Sequence, residues 1–109
     1  MREAPKRFIE FGKKYPKVRE AYENLGTQCQ KAGPLNDRER AFAKIGAAVG
    51  SSMEGSVHAQ VRKALDAGLN PDEIRHAIVL TLTTIGFPKM IAAWTWAEDI
   101  LRGENSGAG

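Results

Sequence analysis

Glu54 and His58 stand four residues apart in the stretch "GSSMEGSVHAQ", residues 50–60. On a helix, groups at i and i+4 meet side by side, and each changes the other's proton affinity. A carboxylate beside an imidazole is the minimum equipment for moving a proton to or from a substrate. On a helical wheel Val57, Val61, Ala64 and Leu65 share one apolar face, with Glu54 inside it and His58 at its edge. A carboxylate on such a face is costly to bury unless it is paired. The spacing therefore predicts that Glu54 and His58 face one small cleft within hydrogen-bonding distance. The same residues support a second reading. Ser51-x-x-Glu54 fits a capping box, as do Asn36-x-x-Glu39 and Asn70-x-x-Glu73. On that view Glu54 only satisfies backbone N–H groups and His58 is a partly exposed polar residue. The residues alone leave both readings open.

Other groups are less informative. His76 lies beside an apolar run, where it can line a pocket or a subunit contact. Trp94 and Trp96 do not share a helical face, so one suits a core and the other needs a second surface to cover it. Cys29 is the single cysteine, which excludes an internal disulfide and a cysteine-based metal site. It continues the stripe Val18, Tyr22 and Leu25, which predicts a packed, structural thiol. No metal ion or other cofactor is expected. The glycines at 50 and 55 lack the following Lys-Ser/Thr of a phosphate loop.

The elements that must position these groups all read as helices. Val18, Tyr22, Leu25 and Cys29 recur at helical spacing before Gly33 and Pro34. Ala41, Phe42, Ile45, Ala48 and Val49 form the next stripe, ending near Gly50. The helix carrying His58 closes at Gly68. Asn70, Pro71 and Glu73 then start a helix strongly, and although residues 78–85 are mostly β-branched, an unbroken helix is predicted over 71–85. A last helix after Gly86 carries Met90, Ile91, Trp94, Ala97 and Leu101 on one side. The outcome is one all-α domain of five or six helices over residues 1–103, with a small, polar, fraying tail at 104–109.

A length of 109 residues suits one domain, and 42% hydrophobic with 27% charged residues is a globular composition. Because so short a chain buries a modest fraction of its surface, association of subunits would help it. The net charge is +3, with Lys13, Lys14, Lys17 and Arg19 on one helical segment. That run reads as a solvated face, and nucleic-acid binding is not expected. No apolar run reaches the roughly 18 residues of a membrane span. With no secretory stretch in "MREAPKRFIEFGKKYPK", a cytoplasmic location is expected.

The segment "GPLNDRERAFAKIGAAVGSSMEGSVHAQVRKALDAGLNPDEIRHAIVLTLTTIGFPKMIAA" resembles the carboxymuconolactone decarboxylase family, which includes the alkylhydroperoxidase-D-like proteins. The likeness covers about residues 33 to 97 and, more loosely, the helix before them. His58, Ala64, Gly68, Asp72-Glu73-Ile74 and Gly86-Phe87-Pro88 sit in its register. The peroxidase branch of this family uses a glutamate, two cysteines and a histidine. Here Glu39 falls on the glutamate position, Ser51 and Glu54 stand where the cysteines would be, and His58 keeps the histidine. A serine and a glutamate cannot reduce peroxide by thiolate attack. The decarboxylase branch lacks the cysteines and carries a Glu four residues before the same His, as here.

The resemblance thus implies an all-α, alkylhydroperoxidase-D-like fold and a homo-oligomer, a hexamer of dimers or trimers. It also implies acid–base chemistry on a small carboxylated or lactone-type substrate. Loss of CO₂ from such a lactone leaves an extended enolate that needs a proton. His58 would carry it and Glu54 would orient His58, with Glu39 a third catalytic candidate. Ser51 and His76 are the candidate substrate contacts, and no arginine is assignable to a substrate carboxylate. Two rivals stand beside this reading: a non-catalytic relative that binds a ligand or protein, and a peroxide-reducing protein that draws on a partner's thiols.

Overall fold

The computed structural model describes residues 5–105. Among them there is no strand, and the chain divides into two compact units that meet between Leu35 and Asn36 in sequence. The fraying expected at 104–109 concerns positions that, from 106 onward, lie outside the described residues, whereas the backbone at 104 and 105 is helical.

The first unit holds α1 (Lys6–Lys14) and α2 (Pro16–Lys31). Pro16 sits at the start of α2, where its missing N–H has no helical partner to lose. Gly12 is buried beneath Arg19, and a β-carbon there would come within 2.4 Å of the arginine Cδ. Arg19 in turn lies over the Phe8 ring, 5.3 Å from its centroid.

The stripe on α2 does have the predicted periodicity, but it is not buried. Val18, Tyr22 and Leu25 are more than half exposed, and Cys29 is exposed. The packed thiol expected from the sequence is therefore corrected. Periodicity gives a helix an apolar face, but only a second surface buries it.

The second unit holds α3 (Asp37–Ser51), α4 (Glu54–Asp66), α5 (Pro71–Leu80), the single turn α6 (Leu82–Ile85) and α7 (Phe87–Asn105). Its core is Ile45, Ala48 and Val49 of α3, Val57, Val61 and Ala64 of α4, Ile74 and Ile78 of α5, and Met90, Ala93, Ala97 and Leu101 of α7. Helix α4 packs against both α3 and α7. Fully burying a branched aliphatic side chain contributes about 1.5–3 kcal/mol.

The helix ends are made by local chemistry. Asn36–Glu39 and Asn70–Glu73 form complete capping boxes at α3 and α5. Gly68, at φ 97°, ends α4 in a Schellman motif: its N–H bonds Leu65 O, and Leu69 N–H bonds Ala64 O. Leu69 is buried beneath that turn.

Two sequence expectations are corrected in this unit. Residues 71–85 are not one unbroken helix. At Thr81 the hydroxyl and the N–H both donate to Ile78 O, at 2.7 and 3.0 Å, which tightens the backbone and separates α5 from α6. Ser51–Glu54 is not a capping box either. Ser51 is still in α3, and α4 starts from Met53, whose side chain makes no cap.

Arginine–carboxylate pairs tie helices together. Arg38 of α3 pairs with Glu73 and donates to Gly68 O. Arg75 of α5 donates three N–H bonds to Glu98 of α7, at 2.8–3.1 Å, and another to Asp72. Glu98 is buried, and its bonds hold the Arg75 guanidinium above its ordinary range.

Three outcomes follow. Ile74→Ala should lower unfolding free energy by about 2–5 kcal/mol in urea titrations, because Ile74 is fully buried. Arg75→Met strands the Glu98 carboxylate and should cost up to about 3 kcal/mol, while Arg75→Met with Glu98→Met should recover most of it. The Asn70 N–H, then Arg38, holds the Glu73 carboxyl below its ordinary 4.5. A depressed folded-state value means stability that is present above the unfolded value and lost as pH falls through the folded one. The urea-midpoint gap between wild type and Glu73→Gln should accordingly be widest near neutrality and narrow as pH falls below the ordinary 4.5.

Candidate functional site

The turn between α3 and α4 sets where Glu54 begins. Ser51 Oγ donates to Ala48 O at 2.6 Å and accepts from Met53 N at 3.3 Å. Ser52 then takes a left-handed conformation at φ 58°, which is unusual for a residue with a side chain. This reversal ends α3 and lets α4 start at Glu54, whose negative charge suits the positive end of the helix.

One turn later, His58 flanks the buried Val57 and Val61 and is itself only 22% exposed at the side chain. Its Nε2 lies 3.0 Å from Asp99 Oδ2 and 4.0 Å from Glu54 Oε2. The hydrogen-bonding partner of His58 is thus Asp99 of α7. The direct Glu54–His58 hydrogen bond expected from the spacing is not formed. Glu54, at 59% exposure, also lies outside the apolar face where the wheel placed it.

The physical reason is that α4 begins at Glu54, so this residue has no preceding turn to bury it. The wheel gave its azimuth and not its height. Glu54, His58 and Asp99 nonetheless form one cluster whose nearest ligand atoms all lie within 4.8 Å of one another. Among the described residues, the ionic contacts of Glu54 and Asp99 are both with His58.

The other sequence candidates stand elsewhere. Glu39 Oε1 accepts the Asn36 N–H at 2.9 Å in its capping box. Ser51 directs its hydroxyl into the turn just described. His76 is exposed on α5 and lines a separate open groove of about 390 Å³ with Phe42, Glu73, Ala77 and Leu80.

A second groove, of about 420 Å³, is lined by Trp94, Thr95, Glu98, Asp99 and Arg102 of α7. It brings an indole, a hydroxyl and a guanidinium alongside the carboxylate that holds His58. Asp99 and Arg102 escaped the sequence reading. Asp99 is 41 residues from His58, so only tertiary packing joins them. The one available signal was the polar run Thr95, Glu98, Asp99 and Arg102 along the otherwise apolar last helix.

The all-helical architecture agrees with the comparison to known families. The chain belongs to the carboxymuconolactone decarboxylase family, whose model matches residues 16–99. That match takes in α2 through Asp99. No curated protein and no solved structure gives a significant match.

The hydrogen bond makes a direct spectroscopic expectation. With Asp99 accepting from Nε2–H, His58 should favour the Nε2-protonated tautomer when neutral. Asp99→Asn should shift the ring-nitrogen NMR signals of His58 toward a tautomer mixture, and Glu54→Gln should shift them less. Equal effects of the two substitutions would contradict the distances.

Proposed function

We propose that this family member performs acid–base chemistry on a small carboxylated or lactone-type substrate, with His58 as the proton carrier. The carrying observation is the 3.0 Å contact between His58 Nε2 and Asp99 Oδ2 beside the Trp94–Arg102 groove. Asp99 orients the imidazole through the 3.0 Å contact, and Glu54 lies 4.0 Å from the same nitrogen. Arg102 offers a cation to a substrate carboxylate, and Trp94 offers an apolar wall to its ring.

In a decarboxylation, the bond from ring carbon to carboxylate breaks, CO₂ leaves, and its electron pair passes into the conjugated enolate. His58 then supplies the proton that forms the new C–H bond. General acid catalysis of this kind is worth about 10²–10⁴ in rate. His58→Ala should therefore lower kcat on a cognate carboxylactone by about that factor, with circular dichroism unchanged. Arg102→Ala should act mainly on KM. Full kcat in His58→Ala would sink the proposal.

The exposure of Glu54 favours a second reading, a non-catalytic relative that binds a small acid in the same groove. Calorimetric binding of carboxylated ligands that is weakened by Arg102→Ala, without turnover of any lactone tested, would select it.

We further propose a homo-oligomer. Apolar side chains are exposed in both units: Val18, Tyr22 and Leu25 on α2, and Leu80, Phe87 and Ile91 around the α6 turn. Such surface is common at protein contacts. Sedimentation velocity at micromolar concentration should show a species larger than a monomer, and a monomer alone would contradict this.

Among the described residues, no helix is long and apolar enough to cross a membrane.

A further inference from the structure

We infer that Glu54, His58 and Asp99 form a binding site for a divalent transition-metal ion of the zinc type. The donors come from two helices, Glu54 and His58 from α4 and Asp99 from α7. The imidazole Nε2 lies 3.0 Å from Asp99 Oδ2 and 4.0 Å from Glu54 Oε2, and the three groups offer atoms within 4.8 Å of one another. Bonds of about 2.0–2.2 Å to a zinc ion set neighbouring ligand atoms roughly 3.0–3.5 Å apart.

The two carboxylates are more than half exposed and so have room to turn toward the better-held imidazole. Glu54 and Asp99 are suited to that movement in a way Glu39 and Glu73 are not. The latter two hold backbone N–H groups in capping boxes, whereas the recorded ionic contacts of Glu54 and Asp99 are with His58.

Charge and donor type select the ion. Two carboxylates around a neutral imidazole carry two negative charges, which a divalent cation cancels. The nitrogen donor favours zinc, cobalt or nickel over magnesium and calcium, which need larger sets of oxygen ligands. Three protein ligands leave further coordination positions for water or an acidic ligand. A metal ion at Nε2 displaces the proton that this nitrogen otherwise shares with Asp99 and leaves the neutral imidazole protonated at Nδ1, so an ion bound there would silence His58 as a proton carrier. Metal binding does not rest on the proposed reaction and is read without it.

Tag-free, chelator-stripped protein titrated with zinc by calorimetry, and with cobalt by visible absorption, should show one saturable site per chain. Magnesium should bind far more weakly. His58→Ala and Asp99→Asn should weaken zinc binding at least about tenfold, the range seen when even outer-shell partners of a metal are lost. Glu54→Gln should weaken it less, because Glu54 is the more distant carboxylate. His76→Ala and Cys29→Ser should leave it unchanged. Circular dichroism confirms that each variant folds, and Asp99→Asn keeps the shape of the side chain if His58→Ala does not fold. No saturable binding of zinc or cobalt up to millimolar concentration would overturn the site. So would binding indifferent to both His58→Ala and Asp99→Asn, or binding lost in His76→Ala or Cys29→Ser. Failure of the lactone assays with metal binding intact would leave this inference standing and remove only the reaction.

Discussion

The azimuth of α7 is the constraint on which the candidate site depends. Successive residues on a helix are turned by about 100°, so fixing one side chain fixes its neighbour. Ala93, Ala97 and Leu101 are fully buried on one side of α7, and Glu98 is buried against Arg75 of α5. With Ala97 and Glu98 both committed, Asp99 has one direction left, and it is the direction of His58. Small side chains allow this approach: Ala64 on α4 and Ala93 and Ala97 on α7 are buried in helices that pack together. A buried Arg–Glu pair is a poor source of net stability, because desolvation offsets much of its attraction. Its contribution here is orientation.

Three glutamates share one sequence pattern and end in two different situations. Asn36-x-x-Glu39 and Asn70-x-x-Glu73 are complete capping boxes, each with its carboxylate on the N-cap N–H. Ser51-x-x-Glu54 has the same spacing but no box, because Ser51 has not yet left α3. The left-handed Ser52 makes the reversal, Met53 becomes the N-cap, and Glu54 is released to sit near His58. A capping signature names a helix start only when its first residue is outside a helix. Whether Glu54 closes a capping box was therefore decided by the length of the helix before it.

That distinction marks how much could be read beforehand. The helical class and the core stripes of α3 and α4 were legible because they follow from a period of 3.6 residues and from Asn, Pro and Gly at helix ends, whereas the family was legible only from its resemblance, carried by His58, Gly68, Asp72-Glu73-Ile74 and Gly86-Phe87-Pro88. Gly68 was legible because a Schellman turn needs positive φ. What escaped depended on contacts distant in sequence. Burial of the α2 stripe needs a covering surface, which periodicity does not supply. The interruption at Thr81 arises when one hydroxyl competes for the Ile78 carbonyl, a choice that propensity alone does not reveal. Asp99 became visible only once α7 was packed on α4. His58 was found from its neighbours in sequence, and its partner only from the fold.

Exposure governs how strongly the trio acts on His58. Both carboxylates are more than half exposed, so water and salt screen their pull, as for other surface ion pairs. A ligand lying along Trp94 and Arg102 would change this by displacing water from beside Asp99. The same charges then act through a lower effective dielectric and couple more strongly to the imidazole. Binding and proton transfer would thereby be linked, because the ligand's apolar body would supply the dry surroundings that the open groove lacks. Arg102 lies in the same groove as Asp99, where its guanidinium can pair with a carboxylate on such a ligand.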